Sequence, residues 1–552
     1  MHHTHVLNPE KKHVASKRFK TLQNVIIFLK FLIIFVFFLL KLTIMREIKF
    51  LIITLLFLLG TKTFAANVWL NDLRSLYTSN KAIIYEINIR TFNANDKDGN
   101  GIIGNGEEKG TFINAIKRLD ELSDAGINTI KLLPVLPVGK VRALGTAGSL
   151  FAPVDFKSIN PQFKTTRGTT YEDMARFINE CHKRHLRVIV DLPCCAGYDL
   201  YTKNPSLFLK DGYGKPVIPQ GYDDVRILDA GLESNINQKV YQLYNDFTKM
   251  MVDLSVDGIS VSMPETKPYS FWKKLIDDTR RYDSEMLFLA EINPNSKQIF
   301  PSFVSIISKN RLLDAGFDGY SGDYKNIQST KNELVNLIKN DVATSQKYNN
   351  KKSAYTNFSS YDSVAPIVAN GEEYVRQLIW FEATMPFNMY YIDGFSSGDN
   401  YMYPLSNKKA SVSFTDDNYY YMKRGQIDIY NFSRKPEGTN FKIYEDFVMA
   451  NKFRSIASEV LSKGSFITLK TNNPNIIAYA RSYNEVSVIV IANTEKTEFE
   501  KIKVKVPKIS NNVPAVPIKV SENVPTFKKG EIESNMAPLE IQVMLLQNFA
   551  VK

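Results

Sequence analysis

The chain has 552 residues, 44% of them hydrophobic and 23% charged, which is long and apolar enough for one large domain with smaller ones and excludes intrinsic disorder. Its formal charge of +12 invites a nucleic-acid reading until the charge is located: residues 1–65 hold ten Lys/Arg against two acids, a net of +8 that leaves only +4 for the rest. The basic balance belongs to the leader, and no nucleic-acid partner is expected.

Two apolar runs occupy residues 1–66. Val25–Ile44 is long enough to span a bilayer, although Lys30 and Lys41 interrupt it. From Met45 a short charged start is followed by the apolar run 50–60 and a small-residue exit, Thr63-Phe64-Ala65-Ala66. That order is the layout of a secretory signal peptide, so a secreted or periplasmic product is expected, with Met45 a candidate start codon. The alternative is an uncleaved segment that tethers the protein to a membrane.

Along the rest of the chain, apolar runs alternate with amphipathic stretches. The pattern predicts strands at Ala82–Ile89, Asn128–Leu133 and Leu186–Leu192, with helices at Phe112–Ala125 and Tyr171–His185 between them. An irregular Gly/Pro/Asp-rich excursion, set as a short insertion over 194–234, precedes a helix at Asn235–Leu254. A strand then begins at Val256-Asp257-Gly258, with Ile259 and Val261 on one face and Ser260 and Ser262 on the other, closed by Pro264. Further strands are expected at Met286–Glu291, Ala315–Tyr320, Ala354–Ser359 and Phe387–Ile392. Eight such alternations predict an α/β fold of the (β/α)8 TIM-barrel class over 67–463. From Gly464 short strands at Phe466–Lys470, Ile476–Arg481, Val486–Ala492, Ile502–Val506 and Leu539–Leu546 predict a C-terminal antiparallel β-sandwich domain over 464–552.

Cysteine and histidine usage removes several chemistries. Cys181, Cys194 and Cys195 give neither a disulfide framework nor metal-ligand spacing, and the adjacent pair reads as small buried residues. After the leader only His182 and His185 remain. Both read as solvated helix residues, which leaves no material for a histidine zinc site or a Ser-His-Asp triad.

Carboxylates carry the positive signal. Asp191, Glu291 and Asp362 stand at or just beyond the C-terminal ends of predicted barrel strands, the rim on which TIM-barrel sites are built. Acids converging there suit proton donation to a glycosidic oxygen and support of an oxocarbenium-like charge. Separately, Asp96, Asp98, Asn100, Gly101, Ile102 and Glu107 fit the D-x-[DN]-x-[DN]-G-x5-E calcium-loop pattern, Ile102 contributing its carbonyl. A structural calcium is therefore expected.

These residues resemble the α-amylase family, glycoside hydrolase family thirteen. The resemblance runs from about Ala82 to Leu546. It includes Ile84-Tyr85-Glu86-Ile87-Asn88, Gly126-Ile127-Asn128-Thr129-Ile130-Lys131-Leu132-Leu133-Pro134, Phe151-Ala152-Pro153-Val154-Asp155, Val256-Asp257-Gly258-Ile259 and Leu289-Ala290-Glu291. It implies Glu291 as proton donor, Asp362 as the charge-stabilising acid, Asp191 as a structural acid in the sugar site and Phe151 in place of the sugar-stacking Tyr. Ser260 and Tyr361 fall at the flanking substrate positions.

The departures from the family pattern are specific. Ser260 stands where the resemblance expects an Arg and Ser262 where it expects the nucleophilic Asp. Asp191-Leu192-Pro193-Cys194-Cys195 lacks the Asn-His of the third-strand motif, and Ser360-Tyr361-Asp362 keeps only the Asp. Ser262 has no base within its own motif to activate it, and loss of a like charge leaves Glu291 a poorer acid. Glu265, three residues on, is the one nearby substitute nucleophile. Two functions follow from the resemblance: an α-glucan-active glycoside hydrolase-like protein with reduced chemistry, or a non-catalytic ectodomain that binds saccharide or protein. The Tyr-rich stretch Asn418–Met422 is a further candidate for sugar stacking.

Overall fold

The structure is a computed structural model that describes residues 69–551 apart from Thr166, Gly221, 325–330, Asp362, Val364, 400–438, Asn511 and 521–523. The leader readings, Asp362 and Asn418–Met422 lie outside the described residues. Among the described residues no helix is long and apolar enough to cross a membrane.

In chain order the first twelve strands are β1 (Ile83–Ile87), β2 (Thr129–Leu132), β3 (Arg187–Pro193), β4 (Cys195–Gly197), β5 (Val225–Ile227), β6 (Gly231–Leu232), β7 (Asn235–Ile236), β8 (Gly258–Ser262), β9 (Leu287–Glu291), β10 (Gly319–Ser321), β11 (Ser353–Tyr355) and β12 (Met389–Ile392). Eight of them form one parallel sheet in the order β11-β10-β9-β8-β3-β2-β1-β12. A lone parallel bridge from Tyr355 to Asn388 joins its two edges and closes the barrel. The expected (β/α)8 barrel is thus the fold; all eight strands overlap predicted ranges, β10 and β11 by only two residues each. β4 and β5 pair antiparallel within the insertion, and β6 and β7 form a short hairpin at its end.

Several boundaries differ from the sequence reading for local reasons. The helix expected over Phe112–Ala125 is two helices, Phe112–Ile116 and Leu119–Asp124. Arg118 leaves helical geometry between them, its guanidinium 4.1 Å over the Phe92 ring and its Nη1 donating to Phe92 O at 2.5 Å. The helix expected from Asn235 starts at Gln238, because Asn235-Ile236 pairs with Gly231-Leu232 and Asn237 caps the helix with its side chain. Ala315 belongs to the helix Lys309–Ala315, ended by Gly316 at φ 120°, so the strand begins only at Gly319.

His182 is buried, not solvated: its Nε2 lies 2.8 Å from Asp257 Oδ2, and the same oxygen accepts from Val188 N at 2.7 Å. The pair ties the helix Thr170–Lys183 to the starts of β3 and β8. Only His185 is exposed, in a left-handed turn at φ 56°. All three cysteines are free and buried.

Beyond the barrel, nine strands follow: β13 (Ser465–Thr468), β14 (Lys470–Thr471), β15 (Ile476–Tyr483), β16 (Val486–Asn493), β17 (Glu500–Lys505), β18 (Ala515–Lys519), β19 (Thr526–Lys528), β20 (Glu531–Met536) and β21 (Ile541–Gln547). They make a five-stranded antiparallel sheet, β13-β15-β16-β21-β18, and a four-stranded one, β14-β17-β20-β19. β18 to β20 are not foreseen from sequence; Pro517, Lys528 and the acids of 531–533 mask their alternation. β15 and β16 are buried on both faces. Ile476, Ala478, Ile489 and Ile491 pack with Ile502, Val504 and Ile532 of the second sheet, whereas Ile477, Tyr479, Val488 and Val490 join the core that includes the barrel.

One buried acid gives this core a pH dependence. Glu382 is 1% exposed, accepts from Tyr390 N at 3.2 Å and from Thr356 Oγ1, and burial pushes its carboxyl up to about 8. The folded state therefore holds a proton that the unfolded chain releases near pH 4. Its stabilising effect is complete below that value and is lost as pH rises through about 8, an effect on the order of 4 kcal/mol. Glu382→Gln is expected to flatten the fall in urea-unfolding free energy between pH 5 and 8.5; an unchanged slope would place the titration elsewhere.

Candidate functional site

The site is built from charged residues that point into the barrel from four strands. In β1 and β2, Glu86 and Lys131 are register partners at the same depth. Each is flanked by apolar residues along the chain, so each marks the interior face of its strand. Asp191 comes from β3 and Glu291 ends β9.

The Lys131 ammonium, 1% exposed, sits among three carboxylates. Its Nζ is 2.9 Å from Asp191 Oδ1 and 2.5 Å from Glu291 Oε1, and it contacts Glu86 Oε1. Its three N–H donors thus meet three acids. Glu86 Oε2 accepts from Tyr390 Oη at 2.5 Å, and Tyr361 Oη donates to the Glu86 carbonyl at 3.2 Å. Glu291 Oε1 also accepts from Tyr355 Oη at 3.1 Å, and its Oε2 accepts from Ser262 Oγ at 3.1 Å.

Three acids around one cation cannot all ionise freely, and the environment divides them. Burial, with repulsion from Glu291, pushes Asp191 well above the usual carboxylate range, and burial also raises Glu86. Glu291 moves the other way. Burial opposes its charge, but the Lys131 ammonium and the hydrogen bonds from Lys131, Tyr355 and Ser262 outweigh it and hold the carboxyl below its ordinary value. Lys131 is raised in turn despite burial, by Asp191, Glu291 and Glu86. The arrangement therefore stores an ammonium–carboxylate pair beneath the pocket.

Above this cluster a pocket opens at the C-terminal ends of the strands. Its lining includes Glu86, Phe151, Asp191, Asp224, Ser262, Glu291, Tyr355 and Tyr361. Phe151 is half-buried there, as is Ser262. Ser260 is not in the pocket, contrary to the sequence reading. It shares the inward face with Ser262 but lies one layer deeper, at 0% exposure, beside Asp191 and Leu289 in register. Glu265 also fails to reach the pocket: the backbone turns at Met263 (φ 55°), and Glu265 is 1% exposed, accepting from Asn293 N at 3.1 Å and from Ser296 Oγ. Ser262, read as lacking a base in its motif, has Glu291 as acceptor from another strand, but an acid held below its ordinary value is a weak base.

Sequence reasoning missed Glu86, Lys131, Tyr355 and Asp224. The available signal was a charge of each sign inside an apolar strand, Glu86 in Ile83–Ile87 and Lys131 in Thr129–Leu132, since a strand buried on both faces tolerates a charge only when it is paired.

The calcium-pattern loop lies between β1 and the helix Phe112–Ile116. Carboxylate oxygens of Asp96, Asp98 and Glu107 fall within 4.8 Å of one another. Asp96, 0% exposed, accepts from Gly99 N and Gly101 N at 2.9 Å each, Asn100 Oδ1 accepts from Ile102 N at 2.7 Å, and Gly101 turns at φ 80°. Glu107 folds back to accept from Lys97 N at 2.7 Å and Gly104 N at 2.8 Å. Three carboxylates converging on a loop fit a hard, oxygen-seeking dication.

The chain is thus a closed parallel barrel with acids at its C-terminal rim and an insertion after the third strand. No protein-family model matches the chain. It is 24% identical over 255 residues to an α-1,4-glucan:maltose-1-phosphate maltosyltransferase of Cereibacter sphaeroides, covering 43% of this chain and 40% of that protein. To the protein of the same name from Picrophilus torridus it is 21% identical over 417 residues, 72% of this chain and 61% of the other. The chain thus spans roughly two fifths to three fifths of these relatives' lengths. In fold it is similar to a maltogenic α-amylase from Thermotoga neapolitana, with TM-score 0.63, 18% identity and coverage of 85% of this chain and 99% of that one. An α-amylase from Lactobacillus plantarum gives TM-score 0.60 at 17% identity, covering 85% of this chain and 99% of that one. These similarities show that the chain has an α-amylase-like fold.

Proposed function

We propose that the chain is an exported, α-amylase-like protein that binds α-glucan or a related oligosaccharide in the barrel pocket and hydrolyses it very slowly or not at all. The observation that carries this is the state of Glu291. Both its oxygens accept hydrogen bonds, from Lys131 and Tyr355 on one side and Ser262 on the other. A general acid must hold a proton near neutrality, and the ammonium and hydrogen bonds around this carboxyl favour its ionised form. Ser262, at the position the resemblance gives to the nucleophile, brings no charge to face an oxocarbenium-like centre. Each decade of rate corresponds to about 1.4 kcal/mol, so losing acid and nucleophile together costs many decades.

The α-glucan ligand is inferred from the relatives' names and from the aromatic and polar lining at Phe151, Tyr355 and Tyr361. Export rests on the leader, with a membrane tether as its variant. The test pairs a reducing-sugar assay on starch, maltodextrin and isomaltose with calorimetric binding of maltooligosaccharides. Binding without turnover is expected, and Glu291→Gln should not lower any residual rate by more than a few-fold. Turnover by the unaltered chain that Glu291→Gln abolishes would overturn the reading.

We also infer that Asp96, Asp98, Asn100, Glu107 and the Ile102 carbonyl hold a structural calcium, which would neutralise the three converging carboxylates and fix the loop after β1. It supplies no catalytic group. Adding calcium at about 100 times its Kd should stabilise the fold by about 2.7 kcal/mol, a rise of a few degrees in Tm that EDTA reverses and Asp96→Asn removes. A Tm indifferent to both calcium and EDTA would count against the site.

A further inference from the structure

Asp224, just before β5 in the insertion, is a wall of the same pocket. Its side chain is 3% exposed, and its Oδ2 has no hydrogen-bond partner among the described residues. A buried carboxylate oxygen left without a donor is costly, on the order of a few kcal/mol, and native structures rarely keep one without a use.

The Arg226 guanidinium acts on it only through space and makes no ion pair with it. Arg226, two residues on, donates its Nη1 to the carbonyls of Asp223 at 2.9 Å and Val225 at 2.6 Å and lies 4.9 Å over the Tyr198 ring. Among the described residues no ion pair reaches Asp224. Burial pushes its carboxyl up to about 6, which leaves it mostly ionised at neutral pH.

The rest of the lining adds further acids and, among the described residues, no cation. Glu86, Asp191 and Glu291 share the Lys131 ammonium beneath the floor, and Asp323 lines the rim. Among the described residues no Lys, Arg or His lines the pocket. A phosphorylated sugar would set its dianion against these acids without a compensating donor. A protonated amine would find in Asp224 a desolvated carboxylate ready to pair.

We propose that Asp224 is a specificity residue that selects, among saccharides, those carrying a protonated amine, and that the pocket discriminates against sugar phosphates. This rests on the saccharide-binding reading of the pocket. It also separates the chain from the α-1,4-glucan:maltose-1-phosphate maltosyltransferases it resembles.

The test is calorimetric titration of the full chain with probes of matched size and different charge. They are maltose and 2-hydroxyethyl α-maltoside as neutral probes, 2-aminoethyl α-maltoside and 6′-amino-6′-deoxymaltose with the amine at either end, and maltose 1-phosphate. At least one amine probe should bind ten-fold or more tighter than its neutral counterpart, and maltose 1-phosphate at least ten-fold weaker than maltose. Asp224→Asn should erase the amine preference while leaving the neutral Kd within about two-fold. Equal affinity for amine and neutral probes, or a preference that survives Asp224→Asn, overturns the proposal while the saccharide reading stands. Failure of every probe to bind overturns both. The ranking on the unaltered chain is decisive even if the variant does not fold.

Discussion

Lys131→Met is expected to destabilise the protein by about 3–5 kcal/mol at pH 8 and by clearly less at pH 5. The substitution removes the one cation shared by Glu86, Asp191 and Glu291 and leaves three carboxyls facing one another at the floor of the barrel. Breaking a buried charge pair by deleting one partner costs that much because the remaining charge is desolvated and uncompensated. The pH dependence has a definite sign. Glu291, held low in the native chain by Lys131, reverts upward in the variant, and Asp191 and Glu86, already raised, rise further. Protons bound by the folded state relieve the repulsion at low pH and are lost as pH increases. Urea unfolding of both proteins at the two pH values measures this. A loss below 1 kcal/mol, or one equal at both pH values, would mean that Lys131 is not the counter-ion of the cluster. Lys131→Arg should not restore stability, since a planar guanidinium cannot occupy a space shaped for a compact ammonium with three radiating donors.

Arg454→Met should cost about 4 kcal/mol at pH 7. Arg454 is 3% exposed in the helix Phe441–Ile456. Its Nη1 donates to Ala383 O at 3.2 Å and Met385 O at 2.6 Å, and its Nη2 to Asn80 O at 2.8 Å and Phe387 O at 2.7 Å. Those carbonyls lie at the end of the helix Pro366–Thr384 and at the entrances of β12 and β1, the pair next to the barrel's closure. Helix C-terminal carbonyls need donors from elsewhere, and here one side chain supplies several. Burial lowers the guanidinium to about 10, still charged at neutral pH. Arg454→Lys should recover less than half of the loss, because one ammonium cannot reach four acceptors spread over a fork. Thermal and urea unfolding would show it. Full rescue by Lys would indicate that charge matters here and geometry does not.

These two residues mark where sequence reading stopped. Strand positions were legible because each barrel strand is a short apolar run between amphipathic helices, and that periodicity is local. The calcium-pattern loop was legible because its ligand types recur at fixed short spacing, and its carboxylates do converge. Arg454 in a helix of mixed periodicity gave no such sign, since its partners lie 67 to 374 residues away.

The strand around Ser262 shows the division most clearly. Alternation by itself put Ser260 and Ser262 on one face and Ile259 and Val261 on the other. The resemblance marked both serines as departures from the family pattern, and the lack of any His after His185 was a matter of counting. What alternation cannot give is depth. Barrel closure sets Ser260 a layer below the pocket at 0% exposure and leaves Ser262 at the rim, donating to Glu291. Closure also brings Lys131 of β2 against Asp191 of β3 and Glu291 of β9, strands that are 60 to 160 residues apart in the chain. The sequence by itself determined which residues are acids, which strands carry them and which family groups are missing. The tertiary structure decided which way each acid's pKa moves, because that depends on which ammonium lies within 3 Å of a buried carboxyl, and only a closed barrel settles that.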